Sequence, residues 1–460
     1  MNTLIVISVL PIVLLYLGLY KMQKALLPVT VIGLLVALGL AVAKWQDAAF
    51  AAPEYHGMIL FNQFSIAFSA VAIVLTILIL LLSKGYFEKI SDHIAEYYAI
   101  ILFSLAGIIV MVSYYNLTML FIGIEIMSVS LYILAGIKKN DFASNEAALK
   151  YFLMGAFSTG FLLFGFTLVY GSTGSFALEG IQKWVLDHNQ MPPMLCTGVI
   201  LILVGLCFKV GVAPFHFWTP DVYEGSPALI TAFMSTVSKT ASFAAFLRLF
   251  SICFPLISNI WSPALVIVAI LTLFIGNITA LYQQSFKRML AYSSISHAGY
   301  LLFAIVGLGA SSANTIFVYA TAYSIASIVA FGALILVTQS TGSDSFDSFN
   351  GLGKKNPFLA LVVTIAMLSL AGIPLTAGFI GKFFTFNLIM RKYLILLAIV
   401  AVINAIISIF YYFRVIVAMY FRGEEREEIV VPPYYVFVLG FAALATIVIG
   451  VYPQLINGLI

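Results

Sequence analysis

Residues 368–386, LSLAGIPLTAGFIGKFFTF, lie inside a long apolar run yet carry three glycines (Gly372, Gly378, Gly381), Pro374 and Lys382. Proline removes a helix hydrogen bond and crowds the preceding turn. A lysine at bilayer mid-depth costs about 2.5–3.5 kcal/mol on insertion scales. A plain membrane helix has use for neither. Irregular backbone is tolerated at membrane depth where it is buried in protein or lines a water-filled cavity. The stretch therefore reads as a broken span that opens a polar pocket, with Lys382 eight residues beyond Pro374 to use it.

Composition places the whole chain in a membrane. Of its 460 residues, 63% are apolar and 9% charged, where a soluble domain has about a quarter charged. Apolar runs of about 20 residues, enough to cross a hydrocarbon core about 30 Å thick, recur throughout. Their polar and Gly/Pro breaks define fourteen spans, near 2–20, 25–43, 58–83, 97–113, 115–137, 147–172, 193–215, 228–251, 262–283, 290–310, 314–339, 358–390, 393–421 and 434–457. The twelfth is longer than one straight crossing requires. The fold class is an all-α polytopic membrane protein.

Several function classes drop out. The net charge of +4 comes from basic residues set singly or in pairs at span ends, which is no nucleic-acid signature. Cys196, Cys207 and Cys253 have no CxxC spacing, so there is neither a metal nest of familiar type nor a disulfide framework. No GxGxxG or phosphate-loop signature stands in a strand–helix context. GSTGSFALEG (171–180) falls between spans and reads as an ordinary external loop. The first apolar run has no basic leader and no A-x-A site, so it reads as a retained span.

Orientation follows the lysines and arginines. With the N-terminus outside, internal loops hold Lys21, Lys24, Lys84, Lys89, Lys138, Lys139, Lys287, Arg288, Lys354, Lys355, Arg414, Arg422 and Arg426, and the external side holds only Lys44, Lys183, Arg248, Arg391 and Lys392. Thirteen against five puts both termini outside.

Lys150, Lys209, Lys239, Lys382 and Glu125 remain within spans. Such residues face a bundle interior or a hydrated path. Glu125 is near the middle of span five, where it serves either proton transfer or pairing with a neighbouring helix. Lys209, five residues before Pro214, is reachable by water at a second break, or snorkels to the internal surface. Lys239 sits twelve residues into a 24-residue span among Ser235, Ser238 and Thr240, where snorkelling is hard. Lys150, near a span end, snorkels or takes up protons. His297 follows Ser293, Ser294 and Ser296; it is a packing histidine or a relay that exchanges protons near neutral pH. His216 lies beside Trp218, Asp221, Tyr223 and Glu224 and reads equally as proton uptake or loop architecture. Tyr292, Tyr300 and Tyr323 either line a hydrated path or pack.

Glu125 and His297 stand 172 residues apart, and Lys209 and Lys382 stand 173 apart. That near-constant offset, five spans along, points to a duplication of spans 4–8 and 9–13. Five is odd, so the copies are inverted, as in many transporters.

PFHFWTPDVYEGSP (214–227), AYSSISHAGY (291–300) and AGIPLTAGFIGKF (371–383) resemble the antiporter-like subunits of proton-pumping NADH–quinone oxidoreductase, respiratory complex I, and are most similar to the N type. The resemblance covers essentially the whole chain. It implies broken helices seven and twelve within two inverted five-helix repeats, at 97–251 and 262–421. A three-helix segment (1–96) precedes them and one helix (434–457) follows. It assigns Glu125 and Lys209 to an ion pair, Lys239 to a central lysine, Lys382 to a lysine facing the outer half-channel and His297 to the second repeat. Lys382 favours the N type over the M type, which has glutamate there, and the short C-terminal end disfavours the L type, which carries a lateral helix. One departure is Leu229, where the family usually has a second proline.

The resemblance further implies a multi-pass subunit of the bacterial inner membrane that translocates protons. Its partners would be neighbouring antiporter-like and small membrane-arm subunits, and NADH, FMN, iron–sulfur clusters and quinone would be held by other chains. A subunit of a multisubunit cation/proton antiporter, a non-transporting structural subunit, and the equivalent subunit of a ferredoxin-dependent photosynthetic complex stay open as alternatives.

Overall fold

Helices must satisfy their own backbone in lipid, and here nearly every apolar run does so. The computed structural model describes all residues except 189, 392, 393 and 424–428, and the side chains of all but those and 49, 50 and 391. Lys392 and Arg426, both used in the charge count, lie outside the described residues, as does the side chain of Arg391.

A leading group comprises α1 (Asn2–Leu19), α2 (Gln23–Ala43) and α3 (Gln63–Leu81). Then come α4 (Ile94–Ser113), α5 (Leu117–Ala135), α6 (Phe142–Thr173), the short α7 (Leu178–Asp187), α8 (Pro193–Val210), α9 (Trp218–Gly225), α10 (Ala228–Phe233) and α11 (Lys239–Cys253). A wide π turn, Met234–Ser238, joins the last two into one crossing. The second half holds α12 (Ser258–Leu281), α13 (Phe286–Val306), α14 (Ser312–Thr341), α15 (Leu352–Lys355), α16 (Pro357–Ala371), α17 (Ala377–Arg391), α18 (Ile395–Phe421) and α19 (Pro433–Val451). Among the described residues, thirteen helical segments are long and apolar enough to cross, and the broken pair α16/α17 supplies the fourteenth span. At 32 residues, α6 is about 48 Å long, so it tilts or projects beyond the hydrocarbon.

The molecule is apolar on its lipid-facing surface, and its mostly apolar interior holds buried polar residues in clusters. Phe157, Phe164 and Phe410 are exposed on α6 and α18, while the α10–α11 crossing and α14 are buried along their length. Membrane-depth charge accordingly gathers around the helices farthest from lipid.

The inverted duplication is present, with a register different from the one the charged residues implied. Residues 172–175 and 340–343 both read STGS, and they end α6 and α14 identically. Gly174 and Gly342 are left-handed caps (φ 69° and 73°). Thr173 and Thr341 each donate to a carbonyl four residues back, Val169 and Val337, at 2.9 Å. Each loop then docks on the start of a helix: Leu117 N–H donates to Phe176 O (2.9 Å) and Phe286 N–H to Asp344 O (2.8 Å). These anchors align Leu117 with Phe286, so Glu125 corresponds to Ser294, and Ser128 to His297. The 172-residue offset paired Glu125 with a residue one helical turn too far along. The two breaks also share a cap, Gly211 and Gly372 (φ 72° and 84°). Lys209 precedes its break and Lys382 follows its own, so the two lysines are not equivalent.

Two further expectations are corrected. The loop at 171–180 runs into the amphipathic helix α7. Arg248, counted with the external loops, is only 4% exposed. Its guanidinium donates to Val112 O (2.6 Å), Tyr114 O (3.2 Å), Asn62 Oδ1 (2.8 Å) and Ser65 Oγ (3.0 Å). A planar fork of five donors suits such a set of acceptors, and it ties the end of α4 and the start of α3 to α11.

Candidate functional site

The site begins at the break between α16 and α17. The last four carbonyls of a helix lack intrahelical partners, a serious cost at membrane depth. Here all four are satisfied. Leu368 O and Ser369 O accept from the backbone of Gly372 and Ile373 at 3.0 Å. Lys382, folding back from α17, donates to Leu370 O (3.1 Å) and Ala371 O (2.7 Å). The ammonium thus sits at the negative end of the α16 dipole, where a cation is favoured, and 5.1 Å from the centroid of the Tyr300 ring. A Cβ on Gly372 would stand 2.6 Å from Lys382 Cδ, and one on Gly378 would stand 1.8 Å from Ser369 O. The glycines let the two half-helices and the lysine stem share this space.

The first break is built differently. Phe208 O accepts from the Trp218 indole Nε1 (3.1 Å), and that indole stacks on Tyr151 with centroids 4.7 Å apart. Lys209 points elsewhere, donating to Ser128 Oγ (3.0 Å) on α5 and Thr159 Oγ1 (3.2 Å) on α6. Glu125 lies one turn before Ser128 on α5. The expected Glu125–Lys209 ion pair is not closed, since hydroxyls hold the ammonium. Glu125 Oε1 is buried without a hydrogen-bond partner among the described residues.

Lys239 follows the π turn directly and is 4% exposed. Its ammonium donates to Ser294 O (2.9 Å) and to Ser294 Oγ. Next along α13, Ser293 Oγ shares a hydrogen bond with Tyr412 OH (2.5 Å). Tyr412 OH also meets His297 Nε2 (3.0 Å), and His297 Nδ1 meets Tyr319 OH (2.8 Å). Tyr319 lies parallel to Tyr300, centroids 6.3 Å apart, and Tyr300 is the ring beneath Lys382. A neutral imidazole has one N–H and one bare nitrogen, so His297 between two phenols can take a proton on one side and release one on the other.

The structure therefore brings Lys239, His297 and Lys382 to one helix, α13, and its neighbours, with Lys239 on Ser294 and His297 in a separate hydroxyl segment from Ser293 to Tyr319. It sets Glu125 with Lys209 into a second group. No side-chain hydrogen bond among the described residues joins the groups; the nearest link is Ser238 Oγ to Met127 Sδ (3.2 Å). The other two candidates stand apart. Lys150 pairs with Glu146 (2.8 Å) and Asp221 (2.7 Å), and Asp221 also pairs with Arg288 (3.1 Å). Burial by itself would raise the Asp221 carboxyl, but Lys150 and Arg288 outweigh it and hold it below its ordinary value. Lys150 is thus a strut between α6 and α9, tied on through Asp221 to α13. His216 is buried beside Phe217, ring centroids 4.5 Å apart, and its Nδ1 lacks a described partner.

Tyr319 and Tyr412 escaped the sequence reading, although the four-residue spacing of Tyr319 and Tyr323 puts both on one helix face. Asn277 and Asn404 escaped it too. Both are fully buried; Asn277 Nδ2 donates to Asn404 Oδ1 (3.0 Å), and Tyr411 OH donates to Asn277 Oδ1 (2.9 Å). They bind α12 to α18 as polar glue.

Among known proteins, the family model described as NADH:quinone oxidoreductase/Mrp antiporter, TM matches residues 114–408. NADH-quinone oxidoreductase subunit N of Flavobacterium psychrophilum is 41% identical over 456 residues, 99% of each chain. A chain of respiratory complex I from Thermus thermophilus superposes with a TM-score of 0.85 at 31% identity, covering 99% of this chain and 98% of that one. A chain of the Mrp complex from Dietzia sp. DQ12-45-1b has the same fold, with a TM-score of 0.87 at 20% identity over 99% and 95% of the two chains.

Proposed function

We propose, for a chain that belongs to the subunit N family of NADH-quinone oxidoreductases, that it carries protons across the membrane through Lys239, His297 and Lys382, fed by Glu125 and Lys209. The observation that carries this reading is a pair of polar segments on α13: Lys239 held by Ser294, and, one residue back, Ser293 joined through Tyr412 and His297 to Tyr319, which stacks beside the ring beneath Lys382. Lys239 is the central donor and acceptor. His297 passes the proton between two phenols. Lys382 is the last station, its charge favoured by the end of α16 until the proton leaves for the outer side.

Glu125 acts as the control. Lys209 rests on neutral hydroxyls, and a shift towards the carboxylate gains Coulomb energy of about 4 kcal/mol at 4 Å contact with an effective dielectric constant of 20. Closing that pair stabilises the protonated lysine and opening it frees the proton for Lys239. NADH oxidation and quinone reduction drive these shifts from partner subunits, which hold FMN and the iron–sulfur clusters; this chain holds no redox group of its own.

In the same reading the chain lies in the bacterial inner membrane with both termini outside. The charge bias supports this more strongly once Arg248 is set aside as a buried clamp. The repeats occupy 97–251 and 262–421, between a leading segment at 1–96 and a last helix at 434–457, and the paired STGS loops support that division.

The test is Lys239→Met in the intact assembly, in inverted membrane vesicles, with NADH oxidation and proton uptake followed together. Assembly with lost or strongly reduced proton uptake is expected; full uptake per NADH would sink the proposal. Sodium-dependent exchange without NADH oxidation would instead assign the chain to a cation/proton antiporter.

A further inference from the structure

A cavity of about 490 Å³ opens where the leading helices meet both repeats, on the face carrying most of the basic residues. Lys89, Lys138 and Lys287 line it, with Glu224, Asp344 and Gln339. The two carboxylates already have partners. Glu224 is paired with Arg288, and Asp344 accepts from Ser285 Oγ at 2.6 Å. Among the described residues, neither Lys89 nor Lys287 has a carboxylate within 4 Å: Lys89 donates to Gln339 Oε1 (3.1 Å), and Lys287 donates to the carbonyls of Glu224 and Ser226. An ammonium has three donors, so Lys287 keeps one to spare.

Two helix N-termini add to this positive field. Ala228, which begins the α10–α11 crossing, lines the cavity, as does Lys287 in the first turn of α13. The helix dipole makes such ends favourable for anions. Tyr86 also lines the cavity. Basic pockets between membrane helices suit anionic headgroups.

We propose that this cavity binds a phosphate-bearing anion, held by Lys89, Lys138 and Lys287 at the N-termini of α10 and α13. It would join the leading helices to both repeats at one point. The assignment does not depend on the proton relay.

The test uses the purified intact assembly, stripped of loosely held lipid and offered a photoactivatable phosphatidylglycerol, with phosphatidylcholine as the uncharged comparison. Crosslinks to peptides spanning 84–93 and 338–345 are expected from the anionic lipid alone. The double variant Lys89→Gln, Lys138→Gln should bind about 30-fold more weakly, at about 1 kcal/mol per lysine near the surface. Lys89→Arg with Lys138→Arg should keep binding, which separates lost charge from lost fold. If excess inorganic phosphate abolishes the crosslink and itself protects these peptides from exchange, the proposal stands with free phosphate as the occupant. Equal labelling by both lipids without phosphate protection, or labelling unchanged in the glutamine variant, overturns it.

Discussion

Tyr412→Phe removes a single oxygen from the middle of the proposed relay. The ring keeps its packing against Tyr411, 4.4 Å between centroids, so the helix contact survives. What is lost are the bonds to Ser293 Oγ at 2.5 Å and His297 Nε2 at 3.0 Å. A buried polar group left unpaired costs about 1–3 kcal/mol, and two such groups remain. If about 2 kcal/mol of that falls on the proton-passing step, the step slows about 30-fold, at 1.36 kcal/mol per tenfold. The assay is proton uptake by inverted vesicles, measured per NADH oxidised and in absolute rate. Tyr411→Phe is the comparison, because its hydroxyl donates to Asn277 and its loss leaves the bonds from Tyr412 to Ser293 and His297 in place. A Tyr412→Phe assembly that pumps at the parental rate and ratio would refute the relay through His297, whatever Lys239 does.

Other perturbations separate parts of the mechanism. Gly372→Ala puts a β-carbon at φ +84° and 2.6 Å from Lys382 Cδ; a left-handed residue costs about 1–2 kcal/mol. A destabilised assembly whose pumping falls more than its electron transfer is expected, checked by thermal unfolding and vesicle assays. Glu125→Gln removes the charge but keeps the shape, so Lys209 should stay on Ser128 and Thr159; the expected result is intact assembly with pumping reduced at least tenfold, read by proton uptake. For Asp221 the sign follows from a lowered folded-state pKa. Its pairs stabilise the fold above about pH 4, the ordinary aspartate value, and that contribution fades as pH falls through the lowered value. Asp221→Asn should therefore lower the unfolding temperature at pH 6, and lower it less as the pH falls below about 4. Asn404→Leu leaves Asn277 short of a partner, and a loss of about 1–2 kcal/mol is expected in denaturant titration of the assembly.

Much of this was legible in the residues. Hydropathy located the fourteen spans because lipid forces long helices, and Gly-x-Pro inside an apolar run located the second break. The lysines stood out because charge at that depth is rare. The register of the repeat was not legible from them. Charged residues in the two halves have diverged in role: a serine holds Lys239 where the other half has Glu125. The polar loops ending α6 and α14 kept both sequence and hydrogen bonds, so STGS was the better ruler. Tyr319 and Tyr412 were hidden for another reason. In a chain with 24 tyrosines, a phenol bound to a histidine has the same sequence as one that merely packs, and only tertiary contact tells them apart. Arg248 misled because it stands near a span end, where the acceptors it reaches belong to α3 and α4.

The cap that Lys382 places on α16 couples the ionisation of one side chain to the shape of the backbone. While the amine is charged, Leu370 and Ala371 have strong donors and the kink is held shut. Once it is neutral, those peptide groups face a weaker partner and the helix end loses its counter-charge. In the proposed relay, a proton's departure from Lys382 is reported to the main chain within one residue's reach, and amide vibrations at 370 and 371 then gauge the charge on that amine.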